Sequence, residues 1–270
     1  MKKYLVIVLL MFNFVACNSK NEYIPEANTK VTEQVNVQEE NKVEEPKEQE
    51  QPKEEPKHKV DIEEMNKKVV YLTFDDGPTR TTTLQVLDIL EKNDIKATFF
   101  VIGQNPDLYN KIIEKGHTIQ LHTYSHKYKE VYANEESYFA DLYKLEELVK
   151  TTTGISPKIV RLPGGTSTTR VKKELKYTIL KRLIKEGYVY QDWNCDSGDA
   201  HGLDVTTDEI ANSSFCNMRQ VNLLMHDTKE STVKSLQKII DKYRENGYSF
   251  EVLKEDSPRF QHVRQSKLVN

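Results

Sequence analysis

The feature that most constrains this chain is the alternation of strand-like and helix-like segments that begins at residue 69. Runs rich in β-branched and aromatic residues predict seven strands, at 69–74, 96–102, 117–121, 157–162, 187–194, 220–226 and 248–252. Segments with helical periodicity separate these runs, and a glycine ends four of the helical segments. Alternation of this kind predicts parallel strands covered by helices, arranged as either an open sheet or a barrel.

Composition indicates that only part of the chain can form such a domain. Hydrophobic residues make up 37% of the 270 residues and the mean hydropathy is −0.68, which is low for a single globule of this size. The segment 17–66 consists mainly of Glu, Lys, Gln, Asn and Pro, and it cannot bury enough apolar surface to offset the entropy of ordering it. We therefore predict a disordered tether at 17–66 and a folded domain at 67–262.

The N-terminus has the features of an export signal. A pair of lysines precedes an apolar run at 4–15 that is too short to span a bilayer as a stable helix. The run leads to Ala16 and Cys17, and a small residue followed by cysteine resembles the signal of bacterial lipoproteins. We predict that 1–16 is a signal peptide, that Cys17 is lipidated, and that the exported protein is anchored to the outer face of the bacterial cell membrane. Ordinary cleavage after Ala16, which would give a secreted protein, is the alternative.

The charge of the predicted domain gives no support for a nucleic-acid partner. The whole chain carries a net charge of −3, but 17–66 holds 14 acidic residues against seven lysines, so the rest is close to neutral. The domain also has no basic stripe interleaved with aromatic residues. We expect a monomer that binds no nucleic acid.

The cysteines of the predicted domain are Cys195 and Cys216. They could pair in an exported protein, but nothing in their spacing demands it, and we predict free buried thiols. The absence of clustered cysteines from the sequence also argues against an iron–sulfur cluster.

Polar side chains follow the ends of five predicted strands. In chain order they are Asp75 and Asp76, His122 and His126, Arg161, Asp196 and Asp199, and His226 and Asp227. Because the carboxyl ends of parallel strands meet at one rim of such a fold, we expect these side chains to lie close together. On its own, the stretch Asp75-Asp-Gly-Pro78 is as consistent with a plain turn as with a functional site.

The histidines and the adjacent carboxylates together predict a metal site. His122 and His126 are spaced i, i+4, so one helical turn would bring both imidazoles to one face. Either histidine alone would more often be a hydrogen-bonded surface residue, but with a carboxylate from another strand end they form a site that leaves positions for water. Asp75 and Asp76 would repel each other unless a metal took one of them and left the other as a base. The ligand types favour one divalent metal ion, zinc or another divalent transition metal.

Five segments of the chain resemble, in order, the motifs of the polysaccharide deacetylases, the NodB-homology family that is also called carbohydrate esterase family 4. They are Thr73-Phe-Asp-Asp-Gly77, His122-Thr-Tyr-Ser-His126, Arg161-Leu-Pro-Gly-Gly165, Asp196-Ser-Gly-Asp199 and Leu224-Met-His226. The resemblance covers essentially all of 68–253. It implies an α/β fold, namely a distorted (β/α) barrel of about seven parallel strands, and the hydrolysis of N-acetyl groups on aminosugar polymers.

The resemblance also implies a role for each rim residue. Asp75 would be the general base and His226 the general acid, with Arg161 and Asp199 fixing their charges and orientations. The metal ligands would be Asp76, His122 and His126. An amide is a poor electrophile, so a metal that polarises its carbonyl removes the main obstacle to hydrolysis. The departing amine cannot leave as an anion and therefore needs the proton of the acid.

Two positions depart from the family pattern and concern the expected substrate groove. By resemblance, a backbone N–H near Gly164 would stabilise the oxyanion, and Leu224 would line the pocket for the acetyl methyl group. The third motif usually carries an aromatic residue where Gly164 stands, and the fourth usually ends in tryptophan where Ala200 stands. We therefore expect an altered fit to substrate, with the metal ligands and the acid–base pair intact. Trp193, the only tryptophan in the sequence, is predicted to be a core residue rather than a sugar platform.

The residues and the resemblance together predict a metal-dependent deacetylase of a cell-wall glycan, with peptidoglycan N-acetylglucosamine as the favoured substrate. Alternatives within that chemistry are chitin-type oligosaccharides, a surface polysaccharide and N-acetylmuramic acid. A catalytically weak glycan-binding lipoprotein is a further alternative, but such a protein would need neither Asp75 nor His226. A solute-binding lipoprotein would share the signal and the tether, yet it would not need so many acids and bases on one rim.

Overall fold

The computed structural model describes residues 67–202 and 205–268. The predicted signal peptide, Cys17 and the predicted tether lie outside these residues. The strands are β1 (Val69–Asp75), β2 (Thr98–Val101), β3 (Thr118–Leu121), β4 (Ile159–Val160), β5 (Val189–Tyr190), β6 (Cys195–Asp196), β7 (Gln220–His226) and β8 (Ser249–Glu251). The α-helices are α1 (Thr82–Lys92), α2 (Tyr109–Glu114), α3 (Tyr128–Val131), α4 (Glu135–Thr153), α5 (Lys173–Lys185), α6 (Thr207–Ser213) and α7 (Glu230–Glu245). Within this part of the chain, no helix combines the length and the apolar character that crossing a membrane requires.

The sheet is parallel in every pairing and has the strand order β5-β4-β3-β2-β1-β7-β6, with β8 beside the first half of β1. β1 lies near the centre of this order, and all seven of its residues are buried, as expected for a strand covered on both faces. Its side chains alternate between two cores. Leu72 and Phe74 pack in the larger cluster, which includes residues of the helices, whereas Val69 and Tyr71 pack in a smaller cluster that holds no helical residue. The period of two places Asp75 on the same side as Val69 and Tyr71, which is the inner side of the curled sheet.

The predicted strand at 187–194 is wrong in its extent, because only Val189–Tyr190 of this segment forms a strand, β5, and the next strand, β6 at Cys195–Asp196, lies at the opposite end of the sheet. β5 pairs with β4, and β6 pairs with β7. The link between them has only four residues and spans at most about 17 Å, so the sheet must curl until its two edges approach. No ladder joins β5 to β6 in the described residues, and the link bonds instead to the C-terminal segment, where the Asp192 N–H donates to the Phe260 carbonyl at 2.6 Å. The predicted distorted barrel is confirmed, although the pairing of β5 with β6 that would close it is not formed.

Short polar residues fix the ends of the helices that cover the sheet. Helix α4 begins after Asn134, whose side chain accepts a hydrogen bond from the Ser137 N–H at 2.9 Å. It ends at Gly154, which has a φ of 75° and so adopts the left-handed conformation that favours glycine. Helix α6 begins with a capping box in which Thr206 and Glu209 bind each other's backbone N–H.

The prediction of free thiols is wrong, because Cys195 and Cys216 form a disulfide bond. Their Cα atoms are 5.9 Å apart, a separation typical of disulfides. Cys195 lies in β6, and Cys216 lies in the connection from α6 back to β7, so the pairing of β6 with β7 brings the two residues together. A separation of 21 residues in sequence carries no sign of this contact, which depends on the tertiary structure.

Candidate active site

The carboxyl ends of the strands surround a cavity of about 350 Å³, here called the rim cavity. The predicted site residues that line it are Asp75, Asp76, His122, His126, Gly164, Leu224 and His226. Arg161 and Asp199 do not line it but lie behind it, where each contacts one of the lining residues. The register of the sheet explains part of this arrangement, since the pairing of β1 with β7 places Asp75 directly opposite His226.

The two adjacent acids reach the rim cavity because the chain turns between them. Asp75 is the last residue of β1 and keeps the inner orientation of that strand. Asp76 has a φ of 74°, a left-handed conformation that aspartate adopts more readily than most residues do. A Cβ atom at Gly77 would overlap the carboxylate of Asp227, so this turn requires glycine. Both carboxylates therefore face one cavity although the residues are neighbours in sequence.

The two histidines meet through an irregular loop, and the predicted helical turn is not formed at 122–127. His126 has a φ of 54°, and the Ser125 N–H donates to the Asp141 carboxylate at 3.0 Å, which ties the loop to α4. The ring centroids of His122 and His126 are 5.0 Å apart. The expected proximity is present, but the neighbouring helix sets the path of the loop, and this could not be inferred from the i, i+4 spacing.

Three side chains on the rim have the arrangement of a metal site. Ligand atoms of Asp76, His122 and His126 all lie within 4.8 Å of one another. Asp76 Oδ1 is 3.4 Å from His122 Nε2 and 3.3 Å from His126 Nε2, yet it is buried and accepts no hydrogen bond from the described residues. A buried carboxylate oxygen without a partner is costly, and a cation between it and the two imidazoles would remove that cost. Two imidazole nitrogens with one carboxylate oxygen suit zinc and other divalent transition metals.

Hydrogen bonding and charge prepare these side chains for a cation. The Nδ1 of His122 lies 2.7 Å from the Arg161 carbonyl oxygen, which can only accept, so the proton is on Nδ1 and Nε2 is free to face Asp76. Burial alone would raise the pKa of Asp76. His122, His126 and His226 outweigh that effect and hold the pKa of Asp76 below its ordinary value. Asp76 is therefore in the anionic form that a metal requires.

Asp75 is held by a fully buried arginine. Arg161 Nη1 donates to Asp75 Oδ1 at 2.8 Å and to Thr73 Oγ1 at 2.8 Å. Its Nη2 donates to the Asp192 carbonyl at 2.9 Å and to Asn222 Oδ1 at 3.0 Å. A buried ion pair is tolerated only when further hydrogen bonds satisfy the remaining polar groups, and these bonds meet that condition. The pair fixes Asp75 Oδ1 and leaves Oδ2 toward the cluster of Asp76, His122 and His126, 3.9 Å from His122 Nε2.

His226 is held by a buried carboxylate in the same way. Its Nδ1 lies 2.8 Å from Asp199 Oδ1, while Asp199 Oδ2 accepts from the His226 N–H at 2.6 Å and from the Thr232 hydroxyl at 2.5 Å. Burial alone would lower the pKa of His226, but the hydrogen bond and the charge of Asp199 outweigh it and raise this pKa to about 9. The side chain is therefore an imidazolium at neutral pH, with its Nε2 proton directed away from Asp199.

The other two acids predicted on the rim have different positions. Asp196 lines the rim cavity, and its carboxylate accepts the Gly198 N–H at 2.8 Å. Asp227 is fully buried under the Gly77 turn, where the Thr83 hydroxyl donates to it at 2.5 Å, and burial is the main cause that raises its pKa to about 7. Asp227 therefore supports the turn rather than facing the cavity.

Sequence reasoning missed several side chains of the cavity wall: Tyr128, Thr168, Arg170 and His201. They lie between the recognised motifs, and no pattern in the sequence distinguishes them. Trp193 was predicted to be a core residue, but it is only partly buried and lines the cavity. Gly165 explains its position, since a Cβ atom there would come within 2.8 Å of the indole ring, closer than packing allows.

Comparison with known proteins agrees with this geometry. The family model described as polysaccharide deacetylase matches residues 62–182. A peptidoglycan-N-acetylglucosamine deacetylase of Bacillus cereus is 33% identical over 201 residues, which cover 71% of each protein. The catalytic domain of a peptidoglycan N-acetylglucosamine deacetylase from Eubacterium rectale is similar in structure, with a TM-score of 0.68 and 35% identity over 73% of this chain and 93% of that one. A polysaccharide deacetylase from Bacillus cereus gives a TM-score of 0.64 and 30% identity over 72% of this chain and 97% of that one.

Proposed function

This chain belongs to the polysaccharide deacetylase family, and we propose that it removes acetyl groups from the N-acetylglucosamine residues of peptidoglycan with the help of one divalent metal ion. One observation carries the proposal. A carboxylate paired with a buried arginine and an imidazolium paired with a buried carboxylate lie opposite each other beside a two-histidine, one-aspartate cluster. A binding protein would need neither pair, whereas amide hydrolysis needs a base, an acid and an electrophile.

The metal would be held by Asp76, His122 and His126, and zinc fits this ligand set best. When bound, the ion would polarise the amide carbonyl and make a nearby water more acidic. The support is the buried, unpartnered Oδ1 of Asp76 between two imidazoles.

Asp75 would act as the general base. Its Oδ1 is engaged by Arg161, which fixes the carboxylate, and its Oδ2 remains to accept a proton from the attacking water. Arg161 touches no part of the rim cavity and is a positioning residue, since it acts only through Asp75.

His226 would act as the general acid. Asp199 binds Nδ1 and so holds the ring with Nε2–H free to protonate the amine that leaves when the amide bond breaks. The raised pKa of His226 keeps that proton in place at neutral pH. Asp199 is the positioning residue on this side, as Arg161 is for Asp75.

The acetyl group would lie between Gly164 and Leu224. Both residues line the rim cavity, and Leu224 presents a nearly buried apolar side chain to it. The N–H of Gly164 donates to no group among the described residues, so it is available to a developing oxyanion. Leu224 would contact the methyl group.

The location of the protein is part of the proposal. The apolar run, Cys17 and the polar segment 17–66 support an exported lipoprotein whose monomeric catalytic domain extends from the outer face of the cell membrane. Cell-wall glycan is the polymer nearest to such an anchor. Mass spectrometry of the protein from a membrane fraction, with the lipid on Cys17 present or absent, tests the anchor independently of activity.

The experiment for the activity measures acetate release by the full chain from peptidoglycan strands and from N-acetylglucosamine oligomers. We expect release that chelation abolishes and added zinc restores, and losses of about 1,000-fold in kcat for Asp75→Asn and His226→Ala. Asp107→Asn, an exposed acid that does not line the rim cavity, is the control and should behave as wild type. Activity that survives exhaustive chelation would contradict the metal mechanism, and wild-type rates for both variants would contradict the acid–base roles. Release from the oligomers alone would favour a chitin-type substrate.

A further inference from the structure

Tyr128 of α3 supplies an aromatic side chain to the rim cavity at the place where Gly164 of the third motif lacks one. A Cβ atom at Gly164 would overlap the hydroxyl of Tyr128, so the missing side chain in the third motif leaves the space that Tyr128 occupies. The ring of Tyr128 lies 5.7 Å from that of His126, and the guanidinium carbon of Arg170 lies 5.3 Å from the centre of the Tyr128 ring. Tyr128 therefore forms part of the wall beside the metal ligands.

The position of Tyr128 is fixed by a second contact between α3 and the third motif. The hydroxyl of Tyr132, which follows α3, donates to the Pro163 carbonyl at 2.9 Å. On the other side of the loop, the buried Lys176 donates to the carbonyls of Thr166 and Thr168 at 3.0 and 2.5 Å. The loop and α3 are thus held together.

A second cavity of about 480 Å³, here called the side cavity, adjoins the rim cavity and shares Tyr128 and Arg170 with it. Three cationic side chains line it, Lys129, Arg170 and Lys172, together with less polar side chains in and just after α3 and at and just before the start of α5. No acidic side chain among the described residues lines it, and the three cations form no salt bridge within that part of the chain. The side cavity is therefore a positive site with an aromatic boundary.

The charged side chains of the two cavities differ. The rim cavity combines the carboxylates of Asp75, Asp76 and Asp196 with the cationic Arg170 and His226, whereas every charged side chain that lines the side cavity among the described residues is cationic. A homopolymer of N-acetylglucosamine is neutral and would use none of the cations of the side cavity. Peptidoglycan alternates N-acetylglucosamine with N-acetylmuramic acid, whose lactyl group or attached stem peptide carries carboxylates. This pattern of a neutral sugar followed by an anionic one matches the two cavities.

Resting on the proposed function, we propose that the side cavity binds the N-acetylmuramyl unit next to the N-acetylglucosamine that is deacetylated. Tyr128 packs against the sugar at the boundary, and Lys129, Arg170 and Lys172 attract the carboxylate. The site would make the enzyme prefer anionic glycan strands over neutral oligomers.

The test uses matched glycans. Acetate release by the full chain is measured on strands that keep their stem peptides and on strands from which an amidase has removed them, each with carboxylates free or capped as methylamides. Capping removes the charge and keeps the sugars. The uncapped strands without stem peptides carry the lactyl carboxylate, and the uncapped strands with stem peptides carry the carboxylates of the peptide, so the two forms separate these sources of charge. We expect wild-type kcat/KM to be about tenfold higher on at least one free form than on its capped counterpart at low salt. The preference should weaken as salt rises.

Two double variants separate the side cavity from general charge effects. Lys129→Gln with Lys172→Gln should remove most of the preference for free carboxylates. Lys181→Gln with Lys185→Gln, two exposed lysines of α5, changes the net charge equally and should keep the preference. Equal wild-type kcat/KM on free and capped strands would overturn the proposal, and so would a preference that survives the first double variant.

Tyr128 has its own test. Tyr128→Ala should raise KM about tenfold on free and capped strands alike, with a smaller effect on kcat, because it removes the surface on which the sugar packs. Tyr128→Phe keeps the ring and should restore the KM. A KM unaffected by Tyr128→Ala would overturn the role of the ring.

Failure of the subsite can be told apart from failure of the proposed function. Affinity electrophoresis in gels that contain free or capped strands measures binding without catalysis. If no form of the glycan releases acetate, the deacetylase function is wrong. The subsite is still supported if free strands retard the wild-type protein more strongly than capped strands do, and if Lys129→Gln with Lys172→Gln abolishes this difference. Equal retardation by free and capped strands contradicts it.

Discussion

The rim cavity and the side cavity are neighbours that are built in opposite ways. In the rim cavity, Asp75 and His226 stand at the ends of adjacent strands, and each is held by a buried partner of opposite charge, Arg161 at 0% and Asp199 at 3% exposure. In the side cavity the lysines are exposed and have no acidic partner among the described residues. The comparison suggests that the sheet and its buried ion pairs fix the chemistry, while surface residues of short helices and loops determine the fit to a polymer.

The largest effect should follow from breaking a buried pair on the rim. Arg161→Met leaves the Asp75 carboxylate buried without its partner, and we expect it to lower the free energy of unfolding by about 3–5 kcal/mol as well as to abolish activity. Urea denaturation followed by circular dichroism measures the change. Arg80→Met, which breaks an exposed ion pair with Asp107, is the matched control and should have little effect. Equal stability of the two variants would contradict the distinction between the two regions.

The rim could be predicted from the sequence because its residues follow strand ends. Asp76, His122 and His226 are far apart in the chain, but parallel strands bring their carboxyl ends to one edge, so a pattern of strands and polar residues is enough to place them together. The family resemblance and the distorted barrel were also predicted from the sequence, and the comparisons and the sheet topology confirm them.

The features that could not be predicted all depend on tertiary contacts between segments that are distant in sequence. Nothing in the local sequence shows that Cys195 meets Cys216, or that β5 within the predicted strand 187–194 and β6 directly after it lie at two different edges of the sheet. Tyr128 fills the space above Gly164 only because α3 packs on the third motif. The sequence indicated that an aromatic wall was missing, but it gave no indication of which element replaces it.

The disulfide should have the next largest effect, and it belongs to the rim side of the comparison. It ties β6, which contains Asp196 and precedes Asp199, to the connection between α6 and β7. Opening a loop of this size should lower the free energy of unfolding by about 3 kcal/mol. Unfolding curves with and without a reductant measure this change, and Cys195→Ala with Cys216→Ala should be insensitive to the reductant. A wild-type curve that does not respond to reductant would contradict the prediction.

The pH dependence of the rim should change when the partner of His226 is removed. Because the pKa of His226 is raised to about 9, its proton is present below that pH and lost above it, so activity should fall on the alkaline side near pH 9. The contribution of the Asp199–His226 pair to the free energy of unfolding depends on pH in the same direction. It is complete below the ordinary histidine pKa of 6.5 and is lost as the pH rises through about 9. Asp199→Asn removes the charge, so the alkaline limb of kcat/KM should move to lower pH by about one unit or more. Asp208→Asn, an exposed acid, should leave the limb in place.

Substitutions in the side cavity should have the smallest effect on the stability of the fold, and this prediction tests the difference between the two cavities most directly. Lys129→Gln with Lys172→Gln removes two exposed cations that support no described carboxylate, so the urea midpoint of unfolding should change by no more than it does in Lys181→Gln with Lys185→Gln. The alkaline limb of the pH profile should also stay near pH 9, since neither lysine contributes to the shift of His226. Only the preference among glycans should move. If the double variant instead lost stability or shifted the pH profile, the two cavities would be coupled, and substrate fit could not vary independently of the chemistry.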